Sequence, residues 1–441
     1  MTIVRTQSRK SGKAGETSRQ ILLVEDQRSL AQMAAKMLYD RWGCHVLIAT
    51  NLAHVRTILA QGEQQFFAAV SDLNLPDAPN GEVIDELIAA RIPVIAMTGM
   101  LDEAMHDKIM SKGVVDYVLK DSINSYEYIV DLVGRLFKNV HTKILVVDDS
   151  ETFCTMLTGM LQIQGLQVLT ANDGAAGLKL LEQQRDIKLV LLDYEMPTMD
   201  GFDFLLHVRR RLGKDRLAVI GMAGSGNKRM SAQFLKLGAN DFIAKPFTYE
   251  ELVCRVSQNL EMQENLEAIR YVAYHDYLTG LLNRRAFFEQ GGKLFGDLSK
   301  AGRPLAVAVM DIDFFKKIND SYGHDGGDVA LRHFAGLLTS HFKKDLVARL
   351  DQHFKPDLVA RVGGEEFALL ITDPDQAAAQ CEAFRQHVEQ SSVKFGDTVI
   401  TFTVSIGIAC QLQPNLESML RQADENLYKA KETGRNCIVL T

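Results

Sequence analysis

The sequence predicts an α/β protein of three folded units: two doubly wound parallel sheets in tandem, then a third α/β domain built around an acidic hairpin. Three observations carry this. Short apolar strands, each followed by a helix-length amphipathic segment, occur as a set twice between residues 20 and 260. The stretch Gly363-Gly364-Glu365-Glu366 lies between apolar runs at 357–362 and 367–371, the arms of a β-hairpin. Finally, 441 residues with 46% hydrophobic content exceed what one core can organise.

Residues 1–19 are rich in Ser, Lys and Arg and lack an apolar core, which predicts a disordered tail and no signal peptide. The repeat then opens with Ile21-Leu22-Leu23-Val24-Glu25-Asp26, which returns as Ile144-Leu145-Val146-Val147-Asp148-Asp149. Ala69-Val70-Ser71-Asp72 returns as Val190-Leu191-Leu192-Asp193. The run ending Met97-Thr98-Gly99 returns as Met222-Ala223-Gly224, and Asp116-Tyr117-Val118-Leu119-Lys120 as Asp241-Phe242-Ile243-Ala244-Lys245. In doubly wound sheets the ligand site lies at the carboxyl ends of the strands, and the polar residues of both copies fall there. An acid pair, a lone Asp and a Lys in that order can together hold a divalent metal and a phosphoryl group.

Both copies, residues 20–138 and 142–260, resemble response-regulator receiver domains of the flavodoxin-like (βα)5 fold. The resemblance implies an aspartyl phosphate on Asp72 as first choice and on Asp193 as second. Glu25, Asp26 and Asp72 would hold Mg²⁺ in the first copy, and Asp148, Asp149 and Asp193 in the second. Lys120 and Lys245 would pair with phosphoryl oxygens, and Thr98 with Tyr117 would form the switch. The second copy departs from the pattern, because Ala223 stands where a Ser or Thr is expected. Its alternative role is a dimerisation adaptor.

From Thr248 the chain reads as one long polar helix with Leu252, Val256, Leu260, Leu266, Ile269 and Ala273 at roughly helical spacing. Residues 261–275 read as the stalk of this helix or as a simple linker helix, its stripe too irregular for a strict coiled coil. The final domain, 276–441, contains the buried-strand run Leu305 to Met310, followed by Asp311-Ile312-Asp313 and Phe314-Phe315-Lys316-Lys317-Ile318-Asn319. An Asp ending a buried strand beside an acidic hairpin suits nucleotidyl transfer with divalent cations. Asp313 also reads as a cap for the helix that follows it.

From Asp276-Tyr277-Leu278-Thr279-Gly280 to Gly434-Arg435-Asn436 this segment resembles the GGDEF family of diguanylate cyclases, here in a Gly-Gly-Glu-Glu-Phe form. The resemblance implies a nucleotidyl-cyclase-like α/β fold. Asp311 and Glu365, with the Ile312 carbonyl, would hold Mg²⁺ on GTP. Lys316, Lys431 and Arg435, with N–H groups near Phe314 and Phe315, would cradle the β- and γ-phosphates. Lys431 and Arg435 are four apart and share a face if the helix continues through them. Gly363 and Gly364 would admit the substrate. Asn319 and Asp328 would read guanine, and His324 joins this set in a structural role. Glu366 would either deprotonate the 3′-hydroxyl or hold a second metal.

Just before the hairpin, His341-Phe342-Lys343-Lys344-Asp345-Leu346-Val347-Ala348-Arg349 is duplicated from His353 to Arg361. The family's Arg-x-x-Asp product-inhibition motif reads here as Phe354-Lys355-Pro356-Asp357, without its arginine. The whole chain thus reads as a cytoplasmic response regulator with a GTP-consuming cyclase output. It would receive phosphate from a sensor histidine kinase or phosphotransfer protein, and would require a homodimer because each domain holds one GTP. A catalytically silent GTP or cyclic di-GMP binding module is the rival reading. The net charge of −7 gives no electrostatic case for nucleic acid, and no apolar run reaches membrane-spanning length. Six scattered cysteines without a Cys-x-x-Cys pair fit a reducing compartment.

Overall fold

Apolar runs rich in Val, Ile and Leu become central strands because both faces of each sheet are covered by helices. A computed structural model describes residues 19–62, 65–99, 102–224, 228–342 and 358–441. The tail before residue 19, the duplicated segment from 343 and the Phe354 to Asp357 motif lie outside the described residues. The chain divides into two compact units, with the division after Asn265.

The first unit holds two parallel sheets. Strands β1 (Gln20–Val24), β2 (His45–Ala49), β3 (Ala68–Asp72), β4 (Val94–Thr98) and β5 (Asp116–Leu119) are ordered β2-β1-β3-β4-β5. The second sheet repeats this order as β7-β6-β8-β9-β10, from β6 (Lys143–Val147), β7 (Gln167–Ala171), β8 (Ile187–Asp193), β9 (Ala218–Gly224) and β10 (Asp241–Lys245). Period-two alternation supplies both faces: Ile21 and Leu23 enter one core layer, Leu22 and Val24 the other. Ile144 and Val146 divide from Leu145 and Val147 in the same way. Gln164 ties the two halves, its Nε2 lying 2.8 Å from the Val115 carbonyl and 2.7 Å from the Tyr249 hydroxyl. Leu252, Val256 and Leu260 of the Tyr249–Tyr274 helix are buried in the second sheet's core.

The second unit is built on a mixed sheet ordered β11-β13-β14-β12-β17-β18, with β15 (Val393–Phe395) and β16 (Thr398–Ile400) as a separate ribbon. Its strands are β11 (Leu282–Asn283), β12 (Ala306–Ile312), β13 (Leu358–Arg361), β14 (Glu366–Ile371), β17 (Val404–Ala409) and β18 (Ile438–Leu440). β12 is buried along its whole length and runs antiparallel to both β14 and β17. Ala306, Ala308, Met310 and Ile312 face one core layer, Val307 and Val309 the other. The Leu416–Glu432 helix lies so close to β17 that a Cβ on Gly407 would meet the Ala423 carbonyl at 2.1 Å. That approach carries Lys431, one residue before the helix ends, toward the end of β12. The Phe315–Phe342 helix is broken at Gly323, where φ is 71° and ψ is 176°. No helix among the described residues is long and apolar enough to cross a membrane.

Candidate functional site

Each parallel sheet ends in a carboxylate cluster at the carboxyl ends of its strands. Glu25 follows β1 and Asp72 closes β3, both almost fully buried, while Asp26 is exposed. The ligand atoms of these three acids lie within 4.8 Å of one another, and so do those of Asp148, Asp149 and Asp193. Lys120 Nζ stands 2.6 Å from Glu25 and 2.6 Å from Asp72. Lys245 Nζ repeats this at 2.6 Å from Asp148 and 2.7 Å from Asp193, over the Phe153 ring. Burial works against charge on Lys120, yet Asp72 and Glu25 outweigh it and raise its pKa. Glu25 and Asp193 are pushed up by burial, with the lysines opposing. An oxygen-only set of three acids fits a hard divalent cation.

Beside these clusters the two halves differ. Thr98 closes β4 and is 4% exposed, whereas Ala223 occupies the matching place on β9. The Tyr117 hydroxyl is turned in and buried, and its ring stands edge-on to His106 at 5.0 Å. His106 in turn lies 2.7 Å from Glu250, at the start of the Tyr249–Tyr274 helix.

In the second unit, Asp311 lies one residue before the end of β12 and pairs with Glu366 of β14 in strand register. Lys431 Nζ lies 2.8 Å from its carboxylate. Burial pushes the Asp311 carboxyl up, Lys431 opposes this, and the Glu365 and Glu366 charges add to it. The Ile312 N–H donates to the Glu365 carbonyl at 3.4 Å, joining strand end and turn. The turn itself is fixed from outside: Arg361 donates to the Gly364 carbonyl at 2.7 and 3.0 Å and pairs with Asp276 at 3.0 Å. Glu366 folds back over Gly363, where a Cβ would meet its carboxylate oxygen at 2.4 Å. Asn319 packs against Gly327, so the amide lies next to the residue preceding Asp328. Phe315 is buried, Phe314 is half exposed, and Lys316 and His324 point to solvent.

The Response regulator receiver domain model matches residues 21–128 and 144–257, and the Diguanylate cyclase, GGDEF domain model matches 273–437. The chain belongs to the response regulators that carry a GGDEF domain. Response regulator PleD of Caulobacter vibrioides is 31% identical over 313 residues, 67% of this chain and 65% of that protein. Diguanylate cyclase VdcA of Vibrio cholerae is 35% identical over 184 residues, covering 40% of this chain and 50% of that one. The match therefore spans about 65% of the PleD chain and about half of VdcA. A solved structure of a probable two-component system response regulator/GGDEF domain protein superposes with a TM-score of 0.50 at 39% identity, covering 56% of this chain and 99% of that one.

Two sequence expectations for this response regulator need correction. Lys431 and Arg435 do not share a helix face, because the helix ends at Glu432 and Gly434 follows with φ of 117°. Arg435 sits instead on a left-handed turn, its guanidinium 4.6 Å from the Phe314 ring centre. Asp313 is not a cap. It is buried, and its donors are Thr403, Ser405 and the Asn436 N–H, none from the helix after it. Sequence reasoning also missed the Arg361–Asp276 pair and the seat of Lys431 on Asp311. For the first, the signal was Asp276 itself, which opens the motif but was given no role.

Proposed function

We propose that this chain is a phosphorylation-regulated diguanylate cyclase, condensing two GTP into cyclic di-GMP and two pyrophosphates. The carrying observation is convergence. Asp311 on a buried strand, Glu365 on the glycine turn, Glu366 at the start of β14, and Lys431 from the Leu416–Glu432 helix meet at one end of the sheet. Asp311, Glu365 and the Ile312 carbonyl would hold Mg²⁺, as the Glu25 and Asp148 clusters would in the receivers. Bound there, it supplies positive charge against phosphate oxygens and Lewis acidity at phosphorus.

The residues do the rest. Lys431 neutralises Asp311 now and turns to the β- and γ-phosphates when GTP enters, joined by Lys316, Arg435 and the N–H groups near Phe314 and Phe315. Asn319 and the Asp328 carboxylate read guanine, since a carboxylate accepts from its N1–H and exocyclic amine. Glu366 would accept the 3′-hydroxyl proton or hold a second metal. The freed 3′-oxygen of one GTP attacks the α-phosphorus of the other, the α–β bond breaks, and pyrophosphate leaves. Exchange of roles closes the ring, so two copies of the domain must face each other, and the active species is a homodimer. In the receivers the Asp72 carboxylate takes phosphate from a histidine kinase or phosphotransfer protein, with Asp193 as the second acceptor. Lys120 and Lys245 offset the incoming charge. The protein works in the cytoplasm, and without an arginine at Phe354 its product inhibition is weak.

Incubation with GTP and Mg²⁺ should yield cyclic di-GMP, and Glu365→Ala should abolish it while leaving the fold intact. Binding of GTP without any turnover would replace this reading with the silent module.

A further inference from the structure

One buried carboxylate in the second unit has no part in the chemistry above. Asp313 is 3% exposed. Its Oδ1 accepts from the Ser405 hydroxyl at 2.6 Å, and its Oδ2 from the Thr403 hydroxyl at 2.7 Å and the Asn436 N–H at 3.0 Å. Its own N–H donates to the Thr403 carbonyl at 3.0 Å. The end of β12, the start of β17 and the turn after the Leu416–Glu432 helix are thus tied at one side chain. Around that tie three residues other than glycine adopt left-handed backbone: Phe314 at φ 56°, Arg435 at 64° and Asn436 at 47°. Such conformations persist only where the surroundings fix them. The Asn436 side chain is itself held between Arg385 at 2.7 Å and Glu389 at 2.9 Å. The two strained turns meet where Arg435 lies over the Phe314 ring.

We propose that Asp313 is a positioning residue: by holding the Asn436 N–H it fixes the turn that presents Arg435, beside the Phe314 backbone, to the phosphates of GTP. The inference rests on the cyclase reading of this domain. It differs from a metal-ligand role because both carboxylate oxygens already accept from protein donors. An Asn can stand in, since its amide oxygen accepts from Asn436 while its NH₂ donates to a hydroxyl, which accepts as readily as it donates. An Ala cannot.

The test is equilibrium binding of 3′-deoxy-GTP with Mg²⁺, a probe that lacks the attacking hydroxyl. Asp313→Ala should weaken binding roughly tenfold, the scale of one lost charge-assisted contact to phosphate. Asp313→Asn should stay within about threefold of the parent. In an Arg435→Ala background Asp313→Ala should have almost no further effect, because the two act as one unit. An undiminished loss in that background, or an Asn variant as weak as the Ala variant, overturns the proposal. Should Asp313→Ala fail to fold, Ser405→Ala removes a single donor. It should cost a few-fold in affinity in the parent and nothing beside Arg435→Ala, and a loss that persists there overturns the proposal equally. A parent that binds no 3′-deoxy-GTP sinks the cyclase reading and this one together. A parent that binds it, with Asp313→Ala unaffected, sinks this one alone.

Discussion

Arg361 closes β13, and its guanidinium serves the Gly364 carbonyl and Asp276 at once. Both ion-pair partners are mostly buried, with side chains 13% and 17% exposed. Burial alone would raise the Asp276 carboxyl, but the Thr279 hydroxyl and Arg361 outweigh it and hold it below its ordinary value of 3.8. A depressed carboxylate stabilises the fold above the unfolded value and loses that contribution as pH falls through the folded one. Asp276→Asn should therefore cost about 1 kcal/mol near neutral pH, the size of a charge-assisted bond weakened by partial exposure. The gap between variant and parent should close only as pH falls well below the ordinary carboxylate value of 3.8 and the parent's depressed carboxyl protonates. Unfolding titrations across this range check it, and a gap independent of pH would mean that the charge is not what Arg361 needs. Cyclase turnover should fall as well, because the glycine turn loses its outside anchor.

Elements make contacts that single residues do not announce. The two halves of the Phe315–Phe342 helix, separated at Gly323, approach so closely that a Cβ on Gly327 would stand 2.0 Å from Asn319 Oδ1 and 3.2 Å from the Phe315 ring. Gly327→Ala must displace that amide, at a cost of about 1–3 kcal/mol for overpacking. If Asn319 reads guanine, the ratio of GTP to ATP affinity should fall by tenfold or more, and competition binding measures it. An unchanged ratio would remove Asn319 from the recognition set. The strands of both halves were legible in the sequence because each short apolar run is followed by a helix-length amphipathic segment, and the set recurs with its acids in order. Asp313 was not legible. A carboxylate after a strand reads as a cap, while its true donors lie 90, 92 and 123 residues away. Lys431 and Arg435 misled in the opposite way: spacing of four promised a shared face, and the left-handed Gly434 between them ended the helix first.

Across residues 19–265 the paired receivers hold the same acids and lysines but unequal switches. The first has Thr98 beneath its site and Tyr117 turned in, and Tyr117 packs on His106, which reaches Glu250 at 2.7 Å. Gln164 and Tyr249 add buried hydrogen bonds to the same face, so the output surface of the first receiver lies against the start of the Tyr249–Tyr274 helix. In the second, Ala223 and Phe242 carry no hydroxyl where Thr98 and Tyr117 have one. A phosphoryl group on Asp72 would draw the Thr98 hydroxyl inward, toward a site next to Tyr117 and its contact with His106. At the matching place near Asp193, Ala223 offers no hydroxyl. Differential contact between two states is what shifts an equilibrium, and Thr98 is the hydroxyl that would supply it in the first receiver. Asp72→Asn should therefore remove most of the activation of cyclic di-GMP synthesis by a small phosphodonor such as acetyl phosphate. Asp193→Asn should remove the smaller part, and Thr98→Ala should resemble Asp72→Asn in rate while leaving phosphate incorporation intact. Rates with and without the phosphodonor, beside the phosphate bound per chain, separate these cases. Activation that survives loss of Asp72 but not of Asp193 would reverse the order of the two receivers.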